Sequence, residues 1–365
     1  MTYLRTTLAA AVVASYSSIA SAQVTPAAGY TPPDDTPSIR VGVVMYPDYT
    51  YTIDPKSTDA DGNQINFSQF NVSRAYINVT GNISHLIAFR ITPDVTRADT
   101  TTGATLNGSL VYRIKYAYAQ FNLGDWMTRG SYARFGIQQT PWIDYDESVY
   151  RYRFQGTTFV EREGYFASAD GGASFDYQFP ANYGEIHTGV FNGENYNRAE
   201  ANDQKAFMIR GTVRPFAAGA PPLRGLRVSA FWDGDHYVKN ADRTRFISGL
   251  HYEHKYLNAG YYYLKTADQT SVTRPEADGN GYTVWVTPKT TKGWEALLRY
   301  DHLKPNDIFN NQVRNRGIYG IAYWFPHQGN VNTVLMLDYD SQTFDNFVPA
   351  ISKQSRLAVH GQVVF

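Results

Sequence analysis

The stretch LAVHGQVVF, residues 357–365, decides the fold. Leu357, Val359, Gly361, Val363 and Phe365 form one apolar stripe at period two, while Arg356, His360 and Gln362 fall on the other face. That alternation predicts a strand with one face in an apolar medium and the other in water. Termini fray unless something ties them down. A strand that runs to a terminal phenyl ring therefore predicts a last sheet element held by a neighbour.

Working back from this strand, the same alternation recurs with almost no helical periodicity between. It appears at 38–46, 73–81, 86–92, 112–123, 132–139, 172–179, 184–191 and 206–213, then at 225–232, 245–253, 257–265, 281–287, 294–303, 316–325 and 331–340. With 355–365 that makes 16 segments, an even number. The links alternate in length. Short ones (81–85, 124–130, 180–183, 255–258, 288–292, 326–330, with 214–224 somewhat longer) separate long hydrophilic ones at 47–66, 93–110, 140–168, 192–204, 233–244, 266–280, 304–315 and 341–354.

A sandwich has no reason to sort its loops this way, and a Greek key needs crossovers. The pattern predicts an all-β transmembrane up-and-down antiparallel barrel of about 16 strands, with short periplasmic turns and long extracellular loops. Closure would pair the last strand with the first and leave no edge facing lipid. A barrel of that width leaves room for a water-filled channel.

Composition agrees. Aromatic residues make up 15% of the chain, with 29 tyrosines, and tyrosine suits both strands and membrane interfaces. There is no cysteine, which excludes a disulfide framework, thiolate metal sites and cysteine nucleophiles. The 33 basic and 33 acidic residues balance, so nothing marks a nucleic-acid partner. At the start, Arg5, the apolar run 8–15 and the small residues Ala20, Ser21 and Ala22 predict a cleaved signal peptide over 1–22. Residues 23–37, rich in proline, read as a flexible periplasmic leader before a single barrel domain at 38–365. The predicted location is the outer membrane of a Gram-negative-type bacterium.

If apolar residues face lipid, the alternate ones line water. Arg74, Arg90, Arg134, Arg210, Arg227, Arg299 and Arg356 share the polar parity, with fewer acids (Glu295, Asp301, Asp338, Asp340), mainly in later strands. Rings of arginine favour anions; the other reading is that these arginines pair with inward acids and stiffen the wall. In the fourth segment Lys115 shares a face with Ala117, Ala119 and Phe121, which predicts a lysine snorkelling at a membrane interface.

The longest and most charged link, 140–168, carries Arg151, Arg153 and Arg162 among Asp144, Asp146, Glu147, Glu161 and Glu163. Folded into the lumen, it would form a charged constriction from Arg151, Arg153, Arg162, Asp146, Glu147, Glu161 and Glu163.

Other signals are weak. The run DADGN (59–63) lacks the glutamate a calcium loop needs, because Ser68 stands there. His251 and Glu253 share a strand face that His254 does not, so zinc is not expected. No cofactor or metal is implied. An enzyme or adhesin acting through the loops is the alternative to a channel, but no catalytic motif is recognisable.

The stretches FNVSRAYINVTGNISHLIAFRIT (70–92), IKYAYAQFNL (114–123), RFGIQQTPW (134–142), GVFNGENYN (189–197) and the terminal phenylalanine resemble bacterial outer-membrane porins, and among them the phosphate-selective porin O and P superfamily. The resemblance implies a 16-stranded barrel, a homotrimer and passive diffusion of small, often anionic, solutes such as phosphate or carboxylates. It also implies outer-membrane lipid and lipopolysaccharide as surroundings. Phe365 resembles the C-terminal aromatic that barrel-assembly machinery recognises, an assembly signal. Phosphate-specific members carry many pore lysines and this sequence shows no comparable set, so a general or weakly anion-preferring pore is expected.

Overall fold

The computed structural model describes residues 35–98, 108–309, 311–327 and 331–365. The expected signal peptide and most of the leader lie outside these residues. The described chain forms one closed barrel of 16 antiparallel strands in sequence order, with the last beside the first.

The strands are β1 (Ser38–Asp54), β2 (Ser68–Asn82), β3 (Ile87–Arg97), β4 (Leu110–Asn122), β5 (Tyr132–Gln139), β6 (Ala169–Gln178), β7 (Gly184–Phe191) and β8 (Ala206–Val213). They continue as β9 (Leu226–Val238), β10 (Ala241–His254), β11 (Leu257–Asp268), β12 (Ala277–Pro288), β13 (Trp294–Lys304), β14 (Val313–Trp324), β15 (Asn332–Asp345) and β16 (Gln354–Val364). Each alternating segment of the sequence becomes one strand. Several run further than the apolar pattern, because past the bilayer the outward face needs no apolar residues. The link expected at 233–244 is instead strand apart from a turn at Lys239 and Asn240.

The outward stripes are exposed apolar side chains, such as Leu335, Leu337, Leu357 and Val359. Aromatic rings accompany this band: Trp294, Tyr323 and Phe325 cluster near the short turns, and Tyr261, Tyr282 and Tyr300 line up across neighbouring strands. The first group sits where an aromatic girdle is expected at a membrane–water interface. The barrel closes through β1 and β16, with Val44 opposite Val364 and Asp48 opposite His360. Val43 and Phe365 exchange both backbone hydrogen bonds, at 2.9 and 3.1 Å.

The wall has one weak place. Strands β2 and β3 are paired only from Val79–Ile91 to Asn82–Ala88, four residue pairs. Thr92 and then Pro93 come next on β3, and Pro93 has no N–H to offer a neighbour, so the ladder does not resume there. Opposite Pro93, the β3–β4 register skips Lys115. This is a β-bulge, and it explains the disturbed parity of the fourth segment. The expectation of a snorkelling Lys115 is thereby corrected. The bulge turns both Lys115 and Tyr116 inward, where they are buried, and the ammonium donates to the Tyr76 hydroxyl at 3.0 Å.

Removing Phe365 deletes both closing hydrogen bonds to Val43. The expected result is a barrel that unfolds at lower temperature or lower urea than the full chain, read by heat-modifiable gel mobility. Unchanged mobility would show that β1 and β16 close without it.

Candidate functional site

The segment 140–168 turns into the barrel. Its ends are stapled together: the Thr140 hydroxyl donates to the Ala167 carbonyl at 2.8 Å. Pro141 then opens a helix, α1 (Pro141–Val149), at the position where a missing N–H costs nothing. An extended stretch follows, and a single helical turn, α2 (Phe159–Arg162), completes the loop.

What holds the loop inside is a dry aromatic core. Trp142 is fully buried, with ring centroids 5.2 Å from Tyr262, 6.0 Å from Phe231 and 5.8 Å from Tyr145. Tyr150 meets Trp285 at 5.3 Å, and Tyr152 and Phe154 meet Trp324 at 6.1 and 5.9 Å. The wall supplies inward Ile247, Leu264, Leu297, Ile318 and Met336 to the same cluster. The expectation that inward residues line water therefore holds only in part. Along β9 to β15 the inward face is the floor of a packed core, which Tyr46 of β1 and Tyr76 of β2 join as well.

The loop charges are mostly spent on internal ties. Arg153 bridges Glu147 on α1 (2.5 Å) and Glu161 on α2 (3.2 Å). Arg151 reaches the wall, bonding Glu295 at 2.7 Å and lying over the Trp324 ring. Arg162 donates to Gln155 at 3.0 Å, and Glu163 accepts from Arg314 at 2.9 Å. Asp146 is buried and accepts from the Tyr262 hydroxyl at 3.0 Å. Burial pushes its carboxyl up to about 7, against the opposing pull of that hydrogen bond.

The wall arginines divide into two groups. Arg210 pairs with Glu185 at 2.6 Å, Arg299 takes Asp301 in a two-pronged contact, and Arg227 pairs with Glu253. Arg134 bonds Gln120 and Gln139, lies over Tyr132 and comes within 3.8 Å of Asp144. Arg90 is buried on Asn78, Thr92 and the Tyr116 ring, and makes no ion pair among the described residues.

Arg74 and Arg356 differ from these. They pair with Asp94 (3.4 Å) and Asp340 (3.2 Å), yet the arginine side chains are 22% and 34% exposed while the acids are 0% and 2% exposed. Each acid sits behind its arginine.

Both arginines face an open space of about 580 Å³, bounded by β1 to β4, β16 and the loop stretch 153–157. Its charged lining is Asp48, Arg74, Arg97, Arg153 and Arg356, with His360 beside them. Of the expected constriction set, Arg153 alone lines this space; Arg151 and Arg162 lie outside the lining. Arg97 was missed because it fell in a presumed loop. It bonds the Gly108 carbonyl (2.7 Å) and Asn71 (3.1 Å), and makes no ion pair among the described residues. Asp94 was missed for the same reason; Glu185 and Glu253 were missed as partners, although their inward parity was readable.

Trp142→Ala removes the centre of the aromatic core, and such truncations cost about 3–5 kcal/mol. The expected readout is a lower melting temperature with noisier single-channel current. The Asp146 shift has a definite sign. A raised carboxyl pKa penalises the folded state once ionised, so the penalty falls as pH drops from 8 toward 5.5. Melting temperature should rise over that interval in the natural chain more than in Asp146→Asn; parallel curves would remove Asp146 from the account.

Solved structures share this architecture. An anion-selective porin from Comamonas acidovorans superposes with a TM-score of 0.62 at 12% identity, covering 90% of this chain and 100% of that one. OmpT of Vibrio cholerae, folded in vitro and in its trimer form, gives 0.59 at 12% identity over 91% and 100%. OmpF of Salmonella typhi in complex with daunomycin gives 0.56 at 12% identity over 90% and 97%. No curated protein matches the chain. The sequence profile of the phosphate-selective porin O and P family matches residues 49–254, more than half of the chain. With its closed barrel and infolded loop, the protein belongs to that family and is an outer-membrane porin.

Proposed function

We propose that this porin is a passive channel with a preference for small anions, and that it acts as a pore rather than an enzyme. The observation that carries the reading is the lining of the open space, where Arg74, Arg97 and Arg356 face one carboxylate, Asp48. Elsewhere inside the barrel most arginines are held against acids, Arg153 between Glu147 and Glu161 among them, and Arg90 is buried on neutral partners. Along β1 to β4 and β16 the acids sit behind the guanidinium groups, and a passing solute meets the positive side first. A low-dielectric wall around a narrow space focuses that field. Anion preference at a pore is commonly set by such arginine groups.

Arg74, Arg97 and Arg356 are the selecting groups in this reading, and Arg153, tied to Glu147 and Glu161, holds the loop beside them. Arg151, Arg162, Asp146, Glu147, Glu161 and Glu163 position the loop, and Arg90, Arg134, Arg210, Arg227 and Arg299 brace the wall. Arginine rather than lysine suits carboxylates as well as phosphate, because its planar fork binds either in two-pronged fashion. Homotrimeric assembly is supported by the family and by the trimer form of the Vibrio protein. Export through a signal peptide at 1–22, a leader up to residue 37 and recognition of Phe365 by assembly machinery complete the proposal. Lipid and lipopolysaccharide would surround the apolar band.

Reversal potentials in planar bilayers under a KCl gradient test it. The natural channel should favour chloride, and Arg74→Gln or Arg356→Gln should shift the reversal potential toward cation permeation by several millivolts or more. Arg151→Gln and Arg162→Gln should move it less. Equal effects at all four positions would dissolve the assignment. Lipid hydrolysis by a barrel that carries no current would favour an enzyme.

A further inference from the structure

The open space is not walled by charge alone. Phe67, Val72, Val95 and Leu110 share its lining with the arginines, and Phe67 and Leu110 are 45% and 44% exposed. Val95 and Leu110 share the parity of the outward Tyr112 and Ile114, so this apolar part lies on the outer side of the wall; inorganic phosphate has no use for apolar surface.

These residues also lie on both sides of the weak seam. Phe67 and Val72 belong to the β2 side, Val95 and Leu110 to β3 and β4. Above Val79 and Ile91 no ladder joins β2 to β3. Side chains bridge the seam instead. Thr92 and Arg90 bond Asn78 at 2.9 and 2.7 Å, Arg74 meets Asp94, and Arg97 reaches Asn71. The result is a cleft between two strands, cationic toward the lumen and apolar along the seam.

We propose that this cleft binds amphiphilic organic anions: a carboxylate head against Arg74 and Arg97, and a hydrocarbon or aryl body between β2 and β3. The proposal rests on the anion-preferring channel above and narrows its solutes. It follows from lining chemistry: a group of apolar side chains beside convergent arginines, in a concavity of several hundred Å³ otherwise lined by polar residues, offers both halves of an amphiphile a partner. Pro93 and the Lys115 bulge are what keep the cleft open, since a continuous β2–β3 ladder would close it.

The test compares 4-phenylbutyrate with acetate as blockers of chloride current through the purified, reconstituted protein. Each buried methylene contributes a factor of about four, so half-block by 4-phenylbutyrate is expected at a concentration at least about tenfold lower than by acetate. Val95→Asn, or Leu110→Gln at the exposed rim should the first fail to fold, should bring the two ligands within about threefold. Arg74→Gln should weaken both. Equal block by the two anions in the natural protein, or a preference that survives Val95→Asn and Leu110→Gln, overturns the cleft and leaves the channel reading intact. A protein that carries no chloride current overturns the channel reading instead; saturation-transfer NMR in micelles then reads binding of the same two probes and decides the cleft separately.

Discussion

A backbone amide inside a bilayer has no water to bond, so each strand needs a neighbour on both sides. The whole molecule is arranged around that requirement. It forces an even ring of antiparallel strands, brings β16 back to β1, and makes the side-chain parity of each strand consequential. Only where a strand stands clear of hydrocarbon, or where side chains take over the bridging, can the ladder lapse. The β2–β3 seam is such a lapse. Asn78, Thr92 and Arg90 do there with side chains what the backbone does elsewhere.

The loop is the second organising element. It divides the lumen unequally, packing Trp142, Tyr150 and Tyr152 onto β9 to β15 and Phe154 between Trp324 and Tyr46, and leaving an open space along part of β1 to β4 and β16. Electrostatics follow the same division. Matched pairs such as Arg299–Asp301 lie under the loop, where an unpaired charge would be costly to bury. Exposed arginines with acids at their backs lie on the open side. Position relative to the loop, more than identity, decides which arginines a solute can feel.

Most of the fold was legible in the sequence. Period-two alternation and the sorting of loops by length are direct imprints of lipid outside and short turns at one end. The interior was less so, for a physical reason. Alternation reports what the outward face touches; it is silent on whether the inward face meets water or protein. Ile247, Leu264, Ile318 and Met336 look like irregularities until the loop is seen resting on them. Arg151 and Arg153 sit two residues apart in one loop, yet one is held by Glu295, 144 positions away, and the other is buried between Glu147 and Glu161 of its own loop. Such long-range partners leave no local trace. Lys115 misled because a bulge changes parity within a strand without changing its composition.

The aromatic core has a consequence for how the two faces of the wall can change. The outer face is wetted by a liquid: lipid chains flow to fit, so Leu335, Leu337 or Leu357 can be exchanged for other apolar residues with little penalty. The inner face of β9 to β15 is in contact with a solid. Ile318 or Met336 there must match the shape of its neighbours as in any water-soluble core. One sheet thus carries two rules of substitution, alternating residue by residue along each strand, and drift should be fast on the odd beat and slow on the even one.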